Sequence, residues 1–403
     1  MQSTLVKFED RGVILQQQRN LKMARSAHAY VRGSTIKFYE WLEQTAAKSL
    51  PQGPPVWICG DCHLGNLGPV ANAKGAVEIE IRDLDQTVIG NPTHDLVRLA
   101  LSLATAIRGS DLPGVTTALV LERMMDGYEN ALSGRSVPRR MSEPVRVVLQ
   151  RAVRRRWRHL AEERIENVTP AIPLGKHFWS LSPQEKKEIE RVFRKEKVVL
   201  LVTSLRRRDS GASVRVLDAA YWMKGCSSLG RLRYAVLLGI GKPKHYRHGG
   251  LCLIDIKEAV RAAAPYYRGS QMPENNAERV VEGAKKLSPF LGQRMMAEKF
   301  LGRQVVLREL LPQDLKLEMD QLTRDDAIAA AHFLASVVGR AHARQMDSKD
   351  RKKWRDDLNR NRLKSLDAPS WLWRSVVDLS SIHESAYLEH CRQYALKMAH
   401  PAK

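Results

Sequence analysis

The sequence predicts an α+β fold in which a strand-rich stretch lies between two helical ones. Three observations carry this. Residues 114–200 show mostly helical apolar spacing with basic faces, interrupted by a loop from Pro170 to Gly175. From about Val214 the texture changes to short apolar runs bounded by glycine-rich turns: Val214 to Met223, Leu232 to Gly239 and Leu251 to Ile256. Helical spacing then returns, most clearly in Ala327 to Arg344. The parts divide as 1–205, 206–315 and 316–403, and a chain of 403 residues can bury a core in each of two lobes.

Composition excludes several classes. Apolar residues make up 43% of the chain, and no apolar run approaches the roughly 18 residues of a membrane span. The first ten residues lack the apolar centre of a signal peptide. Five irregularly spaced cysteines argue for a reducing compartment without a disulfide framework. Together these point to a cytoplasmic protein without a membrane partner. With 66 basic against 44 acidic residues, the formal charge of +22 attracts polyanions. The basic residues cluster at Arg139-Arg140, Arg154 to Arg158, Arg206 to Arg208 and Lys349 to Arg355. They read either as solvated helix faces or as a docking surface for nucleic acid or an acidic partner, with Trp157 and Trp354 as stacking faces. No zinc finger, RNA-recognition signature or helix-turn-helix is legible.

Taken in order, residues 11–48 read as helix broken at Gly33, followed by a loop from Pro51 to Pro55. An apolar strand at Trp57-Ile58 runs into Asp61, with Asn66 five residues on. A second strand, Val77 to Ile81, ends at Asp83-Leu84-Asp85. This arrangement sets two carboxylates and a carboxamide at the ends of two neighbouring strands. Phosphoryl transfer needs such a set: a carboxylate to orient the attacking hydroxyl, and an Asn and an Asp to hold Mg²⁺ on the phosphates. Asp61 takes the first role; Asn66 and Asp83 take the second. Asp85 is either a further metal ligand or a surface carboxylate. Asp95 to Ile107 is an amphipathic helix with Leu96, Leu99, Leu103 and Ile107 on one side.

The strand-rich stretch carries what would cover a nucleotide. Gly225, Ser227, Ser228 and Gly230 form a small-residue turn between two strands, whose backbone N–H groups can approach phosphates. Lys257 ends the next strand and would pair with phosphates. Glu282, or Glu278 one turn earlier, lies on the helix Ala277 to Leu287 and would hold that lysine. This succession resembles a kinase nucleotide lobe, and the resemblance implies that the strand Gln304 to Leu311 is a hinge, where backbone groups from Glu309 to Leu311 would bond adenine. His342, near the end of Ala327 to Arg344, reads as a structural histidine.

A competing reading exists. Cys59-Gly60-Asp61-Cys62-His63 spells C-x-x-C-H, the attachment motif of c-type haem. It requires export and a second axial ligand, and it leaves Asn66, Asp83 and Asp95 unexplained. A zinc site from the same residues lacks a second ligand pair at suitable spacing.

Gly60 to Asn66 resembles the G-D-x-H-x-x-N loop of aminoglycoside and choline kinases, and its D-x-x-x-x-N spacing is that of protein-kinase catalytic loops. Asp83 falls where those kinases carry the metal-binding Asp of I-D-F, with Arg82 in place of the usual Ile. Gly90-Asn91-Pro92 and Asp95-Leu96 fall where they carry G-D-P and D-L. The resemblance implies that Asp95 braces the catalytic loop and that His63 supports it. Arg32 is either a phosphate or carboxylate clamp or a brace for Asp61 or Asp83. The parts stand in a rearranged order, catalytic loop first and nucleotide cover after it, as in a circularly permuted two-lobed kinase-like fold. The first and last parts would then complete one helical lobe.

The whole arrangement resembles a bacterial family catalogued as domain of unknown function 2252. Its motifs appear here as Arg32-Gly33, Gly60 to Asn66, Asp83 to Asp85, Gly225 to Gly230, Lys257-Glu258-Ala259 and Arg279 to Gly283. The resemblance reaches to about residue 347. It implies a kinase-like fold and no established substrate; the reading as a whole is a phosphotransferase dependent on ATP and Mg²⁺, with a hydroxyl-bearing acceptor that is either anionic or neutral. Three alternatives stay open: a nucleotide-binding pseudokinase, a basic nucleic-acid-binding protein, and adenylyl transfer on the same fold.

Overall fold

The computed structural model describes residues 6, 10–46, 49–109, 112–134, 143–155, 157–164, 171–175, 177–205, 208–209, 211–224, 229–242, 246, 250–315, 323–359 and 368–395. It is a mixed α+β structure with antiparallel sheets. The chain opens with α1 (Arg11–Met23), α2 (Ala27–Gly33) and α3 (Thr35–Trp41). The helical run breaks at Gly33 as the sequence predicts. It also breaks before Ala27, where Ser26 caps α2 by accepting from the Ala29 N–H.

Four short strands follow: β1 (Val56–Ile58), β2 (Leu67–Ala71), β3 (Val77–Ile81) and β4 (Val88–Gly90). The two predicted strands are present, but they are not paired with each other. β1 pairs with β4 and β3 with β2, each antiparallel. The sequence misses β2 and β4 because Leu67–Ala71 contains Gly and Pro and Val88–Gly90 is too short to show alternation.

The helices α4 (Thr93–Arg108), α5 (Val115–Leu132), α6 (Glu143–Arg154) and α7 (Trp157–Arg164) come next. The strand-rich region contains β5 (Phe178–Trp179), α8 (Pro183–Phe193), α9 (Glu196–Thr203), β6 (Val214–Trp222), β7 (Arg233–Ile240), β8 (Leu251–Glu258), α10 (Asn276–Leu287), α11 (Pro289–Gly292), β9 (Met295–Phe300) and β10 (Arg303–Leu310). The chain closes with α12 (Arg324–Ala343), α13 (Ser348–Asn359) and α14 (Ser370–His390). None of the described helices is long and apolar enough to cross a membrane.

The principal sheet is antiparallel, in the order β5-β6-β7-β8-β10-β9. One face buries Tyr234, Val236, Ile254 and Leu307 against Ile189, Val192 and Phe193 of α8 and Val198 and Val202 of α9. A capping box between Ser182 and Glu185 starts α8. Glu185 also accepts from Arg11 at 2.7 Å and from the Tyr234 hydroxyl at 2.9 Å, which fastens α1 to the sheet. The other face of the sheet packs Leu160 and Ala161 of α7, so elements before residue 206 are packed on it, including, on this first face, α8 and α9. Those two helices read as helical from periodicity, but their apolar faces belong to the sheet.

The helical part has its own core, in which α4, α5, α12 and α14 pack together. α5 and α12 cross so closely that glycine is required. A Cβ at Gly127 would sit 2.0 Å from the His332 carbonyl oxygen, and one at Gly339 would sit 2.8 Å from that of Tyr128. Backbone cannot rotate away as a side chain can. Gly127→Ala is therefore expected to destabilise the protein by about 1–3 kcal/mol, read as a lowered urea midpoint with unchanged slope.

Two readings of the basic clusters need correction. Trp354 is 1% exposed, and its indole N–H donates to the Tyr128 hydroxyl at 3.1 Å, so it offers no stacking face. Arg208 is buried in a two-pronged ion pair with Glu309, at 2.8 and 2.9 Å, and is no part of a basic surface. Arg139, Arg140, Arg156, Arg206 and Arg207 lie outside the described residues.

Candidate active site

The loop after β1 is shaped by one glycine and one buried carboxylate. Gly60 has φ +74°, and a Cβ there would lie 2.1 Å from the Gln86 carbonyl oxygen. Its N–H and that of Cys59 donate to the two oxygens of Asp95, at 2.9 and 2.7 Å. Asp95 sits in the first turn of α4, where the helix dipole also favours its charge. Behind it runs a buried relay. His342 Nε2 is 3.2 Å from Asp95, and the Tyr128 hydroxyl is 2.9 Å from His342 Nδ1. The Asp95 carboxylate can only accept, so His342 Nε2–H donates to it, and Nδ1 is then the acceptor for the Tyr128 hydroxyl, whose oxygen accepts from Trp354. The relay connects α5, α12 and α13 to the loop.

Asp61 is buried and accepts from Arg98 Nε at 2.9 Å on Oδ1. Arg98 also donates from Nη2 to the Val31 carbonyl at 2.6 Å. The Asn66 amide nitrogen donates to the Asp61 carbonyl at 2.9 Å, which leaves its oxygen as the group able to bind a cation. His63 lies 3.9 Å from Asp61 Oδ2. Burial pushes its pKa down to about 3 despite the Asp61 charge, so it is neutral near pH 7.

The loop after β3 brings in the second acidic pair. Lys257 Nζ, near the end of β8, is 2.5 Å from Asp85 Oδ2 and 3.3 Å from Asp83 Oδ1. Burial opposes ionisation of Asp83, but Lys257, Arg308 and Arg233 outweigh it and hold that carboxyl below the usual range. Burial and the Asp83 charge push Asp85 upward. Asp255 shares a face of β8 with Lys257, two residues away, and is clamped by Arg233 at 2.9 and 2.5 Å. Burial opposes this ion pair too, yet Arg233 holds the Asp255 pKa down to about 2. Arg279 of α10 donates to the carbonyls of Asp85, Thr87 and Val260 and so fixes the loop.

One cavity is lined by Arg32, Asp61, Asn66, Asp83, Asp85 and Lys257 together. Other predicted residues lie elsewhere. Glu282 is paired with Lys285 at 2.6 Å on the outer face of α10, and Glu278 is exposed. Neither reaches Lys257, because Val280, Val281, Ala284 and Leu287 turn the opposite face inward. The backbone of Glu309 is committed: its N–H donates to the Arg294 carbonyl at 3.3 Å, and its carbonyl accepts from Arg294 Nη1 at 2.9 Å. The Leu311 N–H donates to Asp314 at 3.3 Å, although Leu311 itself lines the cavity. Gly230, at φ +96°, borders an adjoining hollow beside Arg231 and Glu258. Gly225, Ser227 and Ser228 lie outside the described residues.

Arg98 and Asp255 are site residues that sequence reasoning misses, and Arg279 enters it only as the start of a motif, without a role. Arg98 carries a signal, a lone charge among leucines three residues after Asp95. Cys59 and Cys62 are buried, and the Cys59 thiol is pushed well up by its hydrogen bond to Cys62 and by burial. Among the described residues no three His, Cys, Asp or Glu side chains are grouped to hold a metal.

The fold and site thus define a mixed α+β protein with a polar cavity between a helical core and an antiparallel sheet. The chain belongs to the family described as "Uncharacterized protein conserved in bacteria (DUF2252)", whose model matches residues 14–393. No curated protein and no solved structure matches it.

Proposed function

We propose that the protein is an ATP- and Mg²⁺-dependent phosphotransferase of circularly permuted, kinase-like fold. The observation that carries this reading is the convergence of Asp61, Asn66, Asp83, Asp85 and Lys257 on one cavity from three separate stretches of chain. Two features add support. The succession of β6, a turn ending in Gly230, β7, the Lys-bearing β8, α10, β9 and β10 follows that of a kinase nucleotide lobe. α12 delivers His342 beneath the loop that holds Asp61. On this reading α2 to α6 and α12 to α14 make up the helical lobe, while α1 and α7 pack against the sheet.

The donor set fits Mg²⁺. Asp83, Asp85 and the Asn66 amide offer hard oxygens, and this ion takes few protein ligands, completing its shell with phosphates and water. Bound there, it would neutralise phosphate charge. Asp61, with Oδ1 fixed by Arg98, keeps Oδ2 to orient the acceptor hydroxyl. Lys257 would trade its contacts with Asp83 and Asp85 for phosphate oxygens. The glutamate of a kinase Lys–Glu pair has no counterpart on α10. Asp85 holds Lys257 instead, and α10 supplies Arg279 to fix the loop that carries Asp85.

The test is a thermal-shift titration with ATP, with and without Mg²⁺. At a hundredfold excess over Kd, wild type should gain about 2.7 kcal/mol, and only with both present. Asp83→Asn should lose the gain. Absence of any shift in wild type ends the nucleotide reading.

A further inference from the structure

Arg32 lines the cavity without an assigned task. It stands in the last turn of α2 and is partly buried. The two bracing roles open to it are already filled. Arg98 holds Asp61, and Lys257 holds Asp83 and Asp85. Among the described residues Arg32 makes no hydrogen bond and no ion pair. Its charge bears on His63, which is itself neutral near pH 7.

Its position is nevertheless built. A Cβ at Gly65 would lie 2.8 Å from both Cζ and Nη2 of Arg32 and 3.2 Å from Nε. Near-equal distances to three atoms of a planar group place Gly65 over its face. Glycine at 65, directly before Asn66, thus lets the guanidinium lie flat on the catalytic loop. The donors of a guanidinium point outward in its plane, so stacking on the loop leaves them free. Arg98 adds a second constraint, since it bonds both Asp61 and the carbonyl of Val31, the neighbour of Arg32. One buried side chain therefore sets the position of the candidate base and of the free guanidinium together. A positioned cation with open donors, in a polar cavity, is suited to an anion that arrives with the ligand.

We infer that Arg32 is the anchor for an anionic acceptor, a compound bearing an oxyanion group, carboxylate or phosphate, beside the hydroxyl presented to Asp61. This rests on the phosphotransferase reading for the word acceptor, while the anion site stands on the geometry of Arg32 alone.

Calorimetric titrations without nucleotide, using inorganic phosphate, D-glycerate and glycerol, test it separately from that reading. Wild type should bind at least one of the two anions and not glycerol. Phosphate alone would point to a phosphate ester as acceptor, glycerate alone to a hydroxy acid. Arg32→Met should weaken the anion at least about tenfold, and Arg32→Lys less, because an ammonium keeps charge but not the planar fork. Lys257→Met should retain the binding. Unliganded melting temperatures confirm that each variant is folded. The inference is overturned if wild type binds neither anion, if Arg32→Met binds like wild type, or if Lys257→Met loses the anion as fully as Arg32→Met does. The last result would move the anion to the nucleotide phosphates. The ATP and Mg²⁺ titration of wild type judges the phosphotransferase reading independently.

Discussion

Asp61→Asn is expected to lower turnover, measured as ADP release, by about 10²- to 10⁴-fold while the Mg²⁺-dependent nucleotide shift persists. The choice of Asn follows from Arg98. That guanidinium is 1% exposed and donates to Asp61 Oδ1. An amide oxygen can still accept the bond, so the loop keeps its shape and only the carboxylate is lost. Asp61→Ala removes the acceptor as well and strands a buried charge, a change that typically costs about 3–5 kcal/mol. The pair of variants separates chemistry from folding. Asp61→Asn should melt near wild type without turnover; Asp61→Ala should melt well below it. Full ADP release by Asp61→Asn would remove Asp61 from the reaction.

The second large effect is on acid stability. His63 and His383 are 4% and 2% exposed. Burial pushes the first down to about 3 and the second to about 4, helped at His383 by Arg98. Both native values lie below the unfolded one, near 6.5. The unfolded chain therefore gains protons first as pH falls, and stability is lost below about pH 6.5 down to the native values. Each group contributes up to about 1.4 kcal/mol per pH unit, or about 2.8 for the pair. His94, also pushed down to about 4 by burial, acts in the same direction. Asp255 continues the trend at lower pH. Its native value of about 2 lies below that of a free carboxyl, so its contribution is present above pH 4 and lost below it. The urea midpoint should fall steeply between pH 6 and 4.5, and His383→Gln should flatten the slope by about one proton. A midpoint constant over that range would contradict the neutral burial of both histidines.

Much of the site is legible because its spacing is local. Asp61 and Asn66 are five residues apart on one loop, and Asp83 and Asp85 follow a strand with clear alternation. Asp95 and His342 read as supports, and Asp95 accepts from the loop while His342 lies against Asp95. The choice of partner for Lys257 is tertiary. Glu282 has suitable chemistry on a suitable helix, yet Val280, Val281 and Ala284 already mark the other face as the inward one. The expected adenine hinge fails for a similar reason. Whether Glu309 has a free backbone depends on Arg294, fifteen residues earlier, turning back onto it. In the basic clusters, charge density says nothing of direction, and Trp354 faces the core from a helix that reads as basic. The sheet order, with β10 between β8 and β9, has no signal in local periodicity at all.

The close crossing of α5 and α12 has a consequence for how the chain is made. Val120, Leu121, Met124, Met125 and Tyr128 of α5 are buried, but the helix that covers much of that face lies some two hundred residues downstream. During synthesis at about 5–20 residues per second, α5 would wait on the order of ten seconds or more for α12 to emerge. Over that interval the entire strand-bearing part can fold while the first helical half still exposes its apolar surface. Such distant pairing slows folding and favours aggregation of nascent chains. Fragments ending before residue 324 should accordingly be poorly soluble even where their sheet is complete.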